Sequence, residues 1–132
     1  MDIIKSVAWL HVENGKVLCV RTRGKDKFYI PGGKIDQGEN PEDALIREIK
    51  EELNITLSKE TIQPAVNITA EAHGFNGVQV EMQCFFATHK GAISVNAEIE
   101  EMKWVSSDYL QSCASAAQKA VEFLAVEQKI RI

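Results

Sequence analysis

The sequence has no apolar run approaching the roughly 20 residues needed to cross a bilayer. Its start, Met-Asp-Ile-Ile-Lys-Ser-Val-Ala-Trp-Leu, is too short and too broken by charge for a secretory leader. These absences predict a cytoplasmic protein with no membrane partner. Cysteine is scarce: Cys19, Cys84 and Cys113 are odd in number, far apart and set among apolar neighbours. That pattern argues against a disulfide framework or a zinc knuckle and predicts reduced core thiols. The basic excess of a nucleic-acid binder is missing too, the net charge being −4. No internal repeat, low-complexity tract or linker interrupts the chain, so one domain over residues 1–132 is expected.

What is present is the mix of a globular protein, 45% apolar and 26% charged. A domain of this length buries roughly two-thirds of the surface its unfolded chain exposes, enough to fold alone. The charge is unevenly divided. Residues 1–34 carry seven basic and three acidic side chains, and the remaining 98 carry eight basic and sixteen acidic. An anionic ligand held between a basic strand region and acidic metal ligands would use such a division, and so would plain solvation.

Residues 3–12 alternate and then run apolar, Asn14-Gly15 is a turn signal, and residues 17–21 are apolar and β-branched, so a hairpin is predicted. Phe28-Tyr29-Ile30 reads as a third short strand stopped by Pro31-Gly32-Gly33. Asn40 can cap a helix over 41–53, with Pro41 at its first position and Glu42 and Asp43 facing its positive end. Leu45, Ile46, Ile49 and Leu53 fall within an arc of about 100° and form its buried stripe, and Asn54 can end it in the left-handed conformation. Strands follow at 62–72 and 78–88, joined by a turn at His73-Gly74-Phe75-Asn76-Gly77, and another at 102–105. Ser115 can cap a second helix over 116–128 with Ala117, Val121 and Leu124 inward and Ala120 and Phe123 nearby. The sheet is expected to be mixed.

On the first helix Glu48 and Glu52 are i, i+4 neighbours, and Glu51 joins them opposite the apolar stripe. Like charges at these spacings cost roughly 0.2–0.5 kcal/mol per pair. A divalent cation is a natural reason to tolerate them, and hard oxygen donors suit Mg²⁺ or Mn²⁺. Solvated Glu-rich helix faces are common, however. The wider spacing distinguishes the two readings. From Gly33 the chain reads Gly-x₅-Glu39-x₇-Arg47-Glu48-Ile49-x-Glu51-Glu52-x-Asn54-Ile55.

This pattern resembles the Nudix box over residues 33–55, matching eight of its nine defined positions, with Asn54 where the family usually has Gly. The resemblance implies an α/β fold, the Nudix α/β/α sandwich around a central mixed sheet. It also implies a pyrophosphohydrolase cleaving a nucleoside diphosphate linked to another group, with Mg²⁺ (or Mn²⁺) as cofactor. Glu48, Glu51 and Glu52 would bind the cation and, with Arg47, carry catalysis. Glu39 and Gly33 would lie close to the same metal, and Arg47 could orient a carboxylate or form a plain surface pair with Glu51. The acidic segment before Trp104 resembles a family loop that supplies a further ligand or base, making Glu98 and Glu101 candidates.

Arg21, Arg23, Lys27 and Lys34 can contact substrate phosphates or be merely solvated. Phe28 and Tyr29 divide between lining a base pocket and packing in the core. His73 is expected in solvent, and His11 and His89 show no partner pattern. Segment 17–39 resembles the MutT-like branch, implying a nucleoside triphosphate, oxidised or not, cut to monophosphate and pyrophosphate by a monomer or homodimer. The chain's two tyrosines, Tyr29 and Tyr109, leave out the downstream Tyr of the dinucleoside polyphosphate branch. The alternatives are a non-catalytic nucleotide-binding or regulatory module, which would show a degraded box, and a hydrolase of another substrate such as a nucleotide sugar. An isoprenoid diphosphate isomerase would need a Cys and Glu pair that we do not see.

Overall fold

Both sets of alternating side chains in the first strand are apolar near its end, which suits a strand covered on two faces. The computed structural model describes residues 2–72 and 77–130, and shows this arrangement. Strand β1 (Asp2–Trp9) lies in a four-stranded mixed sheet of order β4-β1-β7-β6. It pairs parallel with β7 (Val78–Phe86) and antiparallel with β4 (Gly32–Lys34), and β7 pairs antiparallel with β6 (Gln63–Glu71). Val7 and Trp9 point into one core cluster with Leu45, Ile49 and Leu53 of helix α1 (Pro41–Leu53). Ala8 and Leu10 point into the other, with Ala117, Val121 and Leu124 of helix α2 (Ser115–Val126). The helices therefore cover opposite faces, giving an α/β/α sandwich. Each such Leu or Ile, removed from water, contributes roughly 1.5–3 kcal/mol.

A second antiparallel sheet, β2-β3-β9, is built from Val12–Glu13, Lys16–Thr22 and Ile99–Val105, and a two-stranded ribbon joins β5 (Thr56–Leu57) to β8 (His89–Lys90). The expected hairpin is thus shorter than its sequence pattern: β2 and β3 form it across Asn14-Gly15, whose φ values of 53° and 76° are both positive. Its first arm is not β1. The chain changes sheets at His11, whose carbonyl accepts from Leu18 while Leu10 N–H donates to Phe85.

Two further expectations are corrected. Phe28–Ile30 is not a strand but a pair of isolated bridges, Val20 to Tyr29 and Phe28 to Cys113, and the strand forms instead at Gly32–Lys34 on the sheet edge. Ser115 is not a cap. Ala114 holds the cap position because its N–H donates to the Phe28 carbonyl, so the helix begins at Ser115 and ends at Val126. Helix α1 follows the prediction in detail: Asn40 accepts from Asp43 N–H, and Asn54 closes the helix at φ 58° with its N–H on the Lys50 carbonyl. Cys19, Cys84 and Cys113 are free and buried. The turn expected at His73–Asn76, and with it His73, lies outside the described residues.

Candidate active site

The edge strand β4 lies over the acidic face of α1, and its two glycines set the distance. A Cβ on Gly33 would stand 2.5 Å from the carboxyl carbon of Glu48, and a Cβ on Gly32 would stand 2.0 Å from the carbonyl oxygen of Val7. Gly32 has φ 152°, and its N–H donates to Glu52 Oε1 at 3.1 Å. Only a backbone without side chains can come this close to both the helix carboxylates and β1.

Glu52 is 8% exposed, and burial pushes its carboxyl up to about 8, assisted by the charges of Glu48, Glu98 and Glu51 and opposed by the Gly32 N–H. Glu48 is raised as well, first by burial and then by Glu51 and Asp36, while Arg47 pulls it back. Glu51 is the most exposed of the three.

Arg47 organises the rim. Its Nε and Nη2 donate to the two oxygens of Glu39 at 2.9 Å each, Nη1 donates to Glu48 Oε1 at 2.9 Å, and Nη2 also reaches the Lys34 carbonyl at 3.2 Å. Asp36 lies 3.3 Å away and Glu51 3.6 Å. The expected Arg47–Glu51 pair is therefore the longest of its ion pairs, behind a two-pronged clamp on Glu39. That clamp and the Asp36 N–H hold the Glu39 carboxyl down at about 2. Asp36 was not singled out in the sequence.

A cavity of about 290 Å³ opens beside Glu52, Gly33 and Lys34 and runs between the two larger sheets past Ile4, Met82, Tyr29 and Ile99 to Ala117 of α2. Tyr29 lines it, half-buried, whereas Phe28 is buried in the core with its ring 6.1 Å from that of Tyr109. Lys34 also lines the cavity. Arg21 does not; its guanidinium donates to Glu101 at 2.7 Å and Glu100 at 3.1 Å, which also accounts for Glu101. Lys27 donates to the Gln111 carbonyl, whereas Arg23 is held, among the described residues, only by its main-chain N–H on the Glu98 carbonyl, and its side chain is exposed. Lys25, Ser6 and Met82 also line the cavity, and nothing in their local sequence pattern marks them for it.

Among the described residues no three acidic, histidine or cysteine side chains stand ready-made as a metal cage. The fit to a hard cation rests on donor chemistry: a buried carboxylate, Glu52, with three more acting on it, all oxygen donors and none from sulfur.

The family model for the NUDIX domain matches residues 4–126. Over 55 residues the chain is 38% identical to the 8-oxo-dGTP diphosphatase of Escherichia coli strain K12, a match covering 39% of this chain and 43% of that protein. Over 49 residues it is 41% identical to the RNA pyrophosphohydrolase of Tolumonas auensis, covering 37% and 28%. Among solved structures, a MutT NUDIX hydrolase from Burkholderia pseudomallei superposes with a TM-score of 0.77 at 22% identity, covering 94% of this chain and 99% of that one. That last likeness concerns the fold.

Proposed function

The chain belongs to the Nudix family, and from that premise we propose that it hydrolyses a phosphoric anhydride in a nucleoside diphosphate-linked substrate, a nucleoside triphosphate, using Mg²⁺ or Mn²⁺ held by Glu48, Glu51 and Glu52. The observation that carries this reading is Glu52, a buried carboxyl pushed up to about 8 among three like charges on the wall of the cavity. Such a group is costly unless its charge is matched, and a divalent cation matches it. When bound, the cation would neutralise phosphate charge and lower the pKa of a water nucleophile.

The chain's own residues supply the rest. Glu52, to act as a ligand, gives up its proton, so the Gly32 N–H that favours its charged form aids binding. Arg47 holds Glu48 by Oε1, leaving the other oxygen for a metal, and Glu39 and Asp36 fix Arg47. Glu98, close enough to act on Glu52 electrostatically, is the better placed of the two loop candidates, since Glu101 is paired with Arg21. Tyr29 and the apolar cavity walls suit a flat base. Similarity to an 8-oxo-dGTP diphosphatase supports a triphosphate substrate cut to monophosphate and pyrophosphate.

A screen of nucleoside triphosphates, nucleotide sugars and other nucleoside diphosphate derivatives, with Mg²⁺ and then with EDTA, tests the proposal. Hydrolysis of at least one class that stops on chelation is expected. Nucleotide binding without turnover across the panel would contradict it and favour a binding module.

A further inference from the structure

From Arg21 to Lys34 the sequence offers five cations, and they meet different fates. The pairing of β3 with β9 shifts register between Arg21 and Thr22. A bulge at this point re-aims the side chains that follow it. Arg21 stays on the β9 side, bound to Glu100 and Glu101, while Thr22 and Lys25 line the cavity that Glu52 also lines. Two main-chain bonds close the turn, Lys25 N–H to the Thr22 carbonyl and Arg23 N–H to the Glu98 carbonyl, at 3.0 and 2.8 Å. The second ties the turn to the acidic loop whose Glu98 acts on Glu52. A third bond comes from Arg21, whose Nη1 donates to the Lys25 carbonyl at 3.0 Å. Among the described residues the Lys25 ammonium itself has no hydrogen bond or ion pair.

We propose that Lys25 binds a phosphate oxygen of the substrate at the cavity mouth, and that Arg21 is a positioning residue which fixes the turn carrying Lys25 rather than a phosphate ligand. The inference rests on the hydrolase reading of the site. Arg21 already has its donors directed at Glu100, Glu101 and the Lys25 carbonyl, and turning it to a phosphate would give up both ion pairs and the bond that holds the turn. Lys25 has a charge to offer and a flexible stem to reach with, beside carboxylates that would otherwise repel a polyanion.

The test measures KM and kcat for ATP and GTP with Mg²⁺, and, by calorimetry, binding of inorganic pyrophosphate with Mg²⁺, in Lys25→Gln, Lys25→Arg, Arg21→Gln and the Lys25→Gln/Arg21→Gln double variant. Lys25→Gln is expected to weaken pyrophosphate binding and raise KM about tenfold, with the loss falling mainly on KM, and Lys25→Arg should restore most of it. Arg21→Gln should weaken binding when Lys25 is present and add little when it is absent. Unchanged pyrophosphate affinity in Lys25→Gln would overturn the assignment. Equal losses from Arg21→Gln in both backgrounds would overturn the positioning role. If the wild type turns over no nucleotide, the hydrolase reading fails, and the pyrophosphate measurement still decides the part played by Lys25.

Discussion

Gly32 and Gly33 are adjacent, yet they are constrained by different neighbours, and substitution should separate those constraints. A methyl on Gly32 meets the Val7 carbonyl at 2.0 Å, in a backbone conformation that L residues rarely adopt. Gly32→Ala should therefore destabilise the fold by about 3 kcal/mol or more. A methyl on Gly33 meets the Glu48 carboxylate, the far end of a side chain that can move aside. Gly33→Ala should cost only about 1 kcal/mol of stability while lowering turnover about a hundredfold, because a displaced ligand or positioning group is punished more in rate than in folding. Thermal melts and kinetics on the two variants check this contrast, and equal stability losses would contradict it. The place of Gly33 against the acidic face of α1 is marked in the sequence only as a spacing. That Gly32 and Gly33 form an edge strand is not marked at all, since paired glycines carry no side-chain pattern to mark one.

Among the elements, α1 was legible almost to the residue because its signals are local: Asn40, Pro41, a 3.6-residue apolar period and Asn54 act within a few residues of one another. The prediction that belongs here is Asn54→Gly. Asn54 is exposed, sits at φ 58° and contributes its main-chain N–H, so glycine should keep the bond and relieve the left-handed strain. A stability equal to the wild type or higher by up to about 0.5 kcal/mol is expected. A clear drop in melting temperature would mean that the Asn54 side chain makes a bond of its own. Elements set by distant partners were less legible. Phe28–Ile30 has strand-like residues but only bridges to Val20 and Cys113, and Ser115 lost its capping place to a main-chain bond from Ala114 to Phe28. The bulge after Arg21 arises from pairing with residues about 80 positions away, so which cation faces the cavity could not be read locally.

At the scale of the whole molecule, the sandwich depends on β1 leaving one sheet for the other at an aromatic junction. His11 stacks on Trp9 at 4.4 Å, with His89 edge-on at 5.1 Å, and its Nε2 lies 2.7 Å from Glu13. Burial lowers the His11 pKa below its usual 6.5, outweighing the Glu13 contact. The folded state thus resists a proton that the unfolded chain accepts. His11 contributes stability that is fully present above pH 6.5 and is lost as pH falls from there through the lower folded value. Melting temperatures from pH 7.5 down to 5 should fall less steeply in His11→Gln than in wild type, and parallel profiles would count against this role.

Glu52 and the acidic face of α1 are the proposed seat of metal-assisted attack by water on a phosphate chain. The most direct test follows a nucleoside triphosphate substrate with Mg²⁺ in ¹⁸O-labelled water, weighing the products made by wild type and by Glu52→Gln. The wild type should give monophosphate and pyrophosphate, with one label incorporated. Glu52→Gln, which keeps the side chain's size and a hydrogen-bond acceptor for the Gly32 N–H, should stay folded and lose at least about a hundredfold in turnover. Undiminished turnover in Glu52→Gln, or release of orthophosphate with a nucleoside diphosphate, would contradict the account.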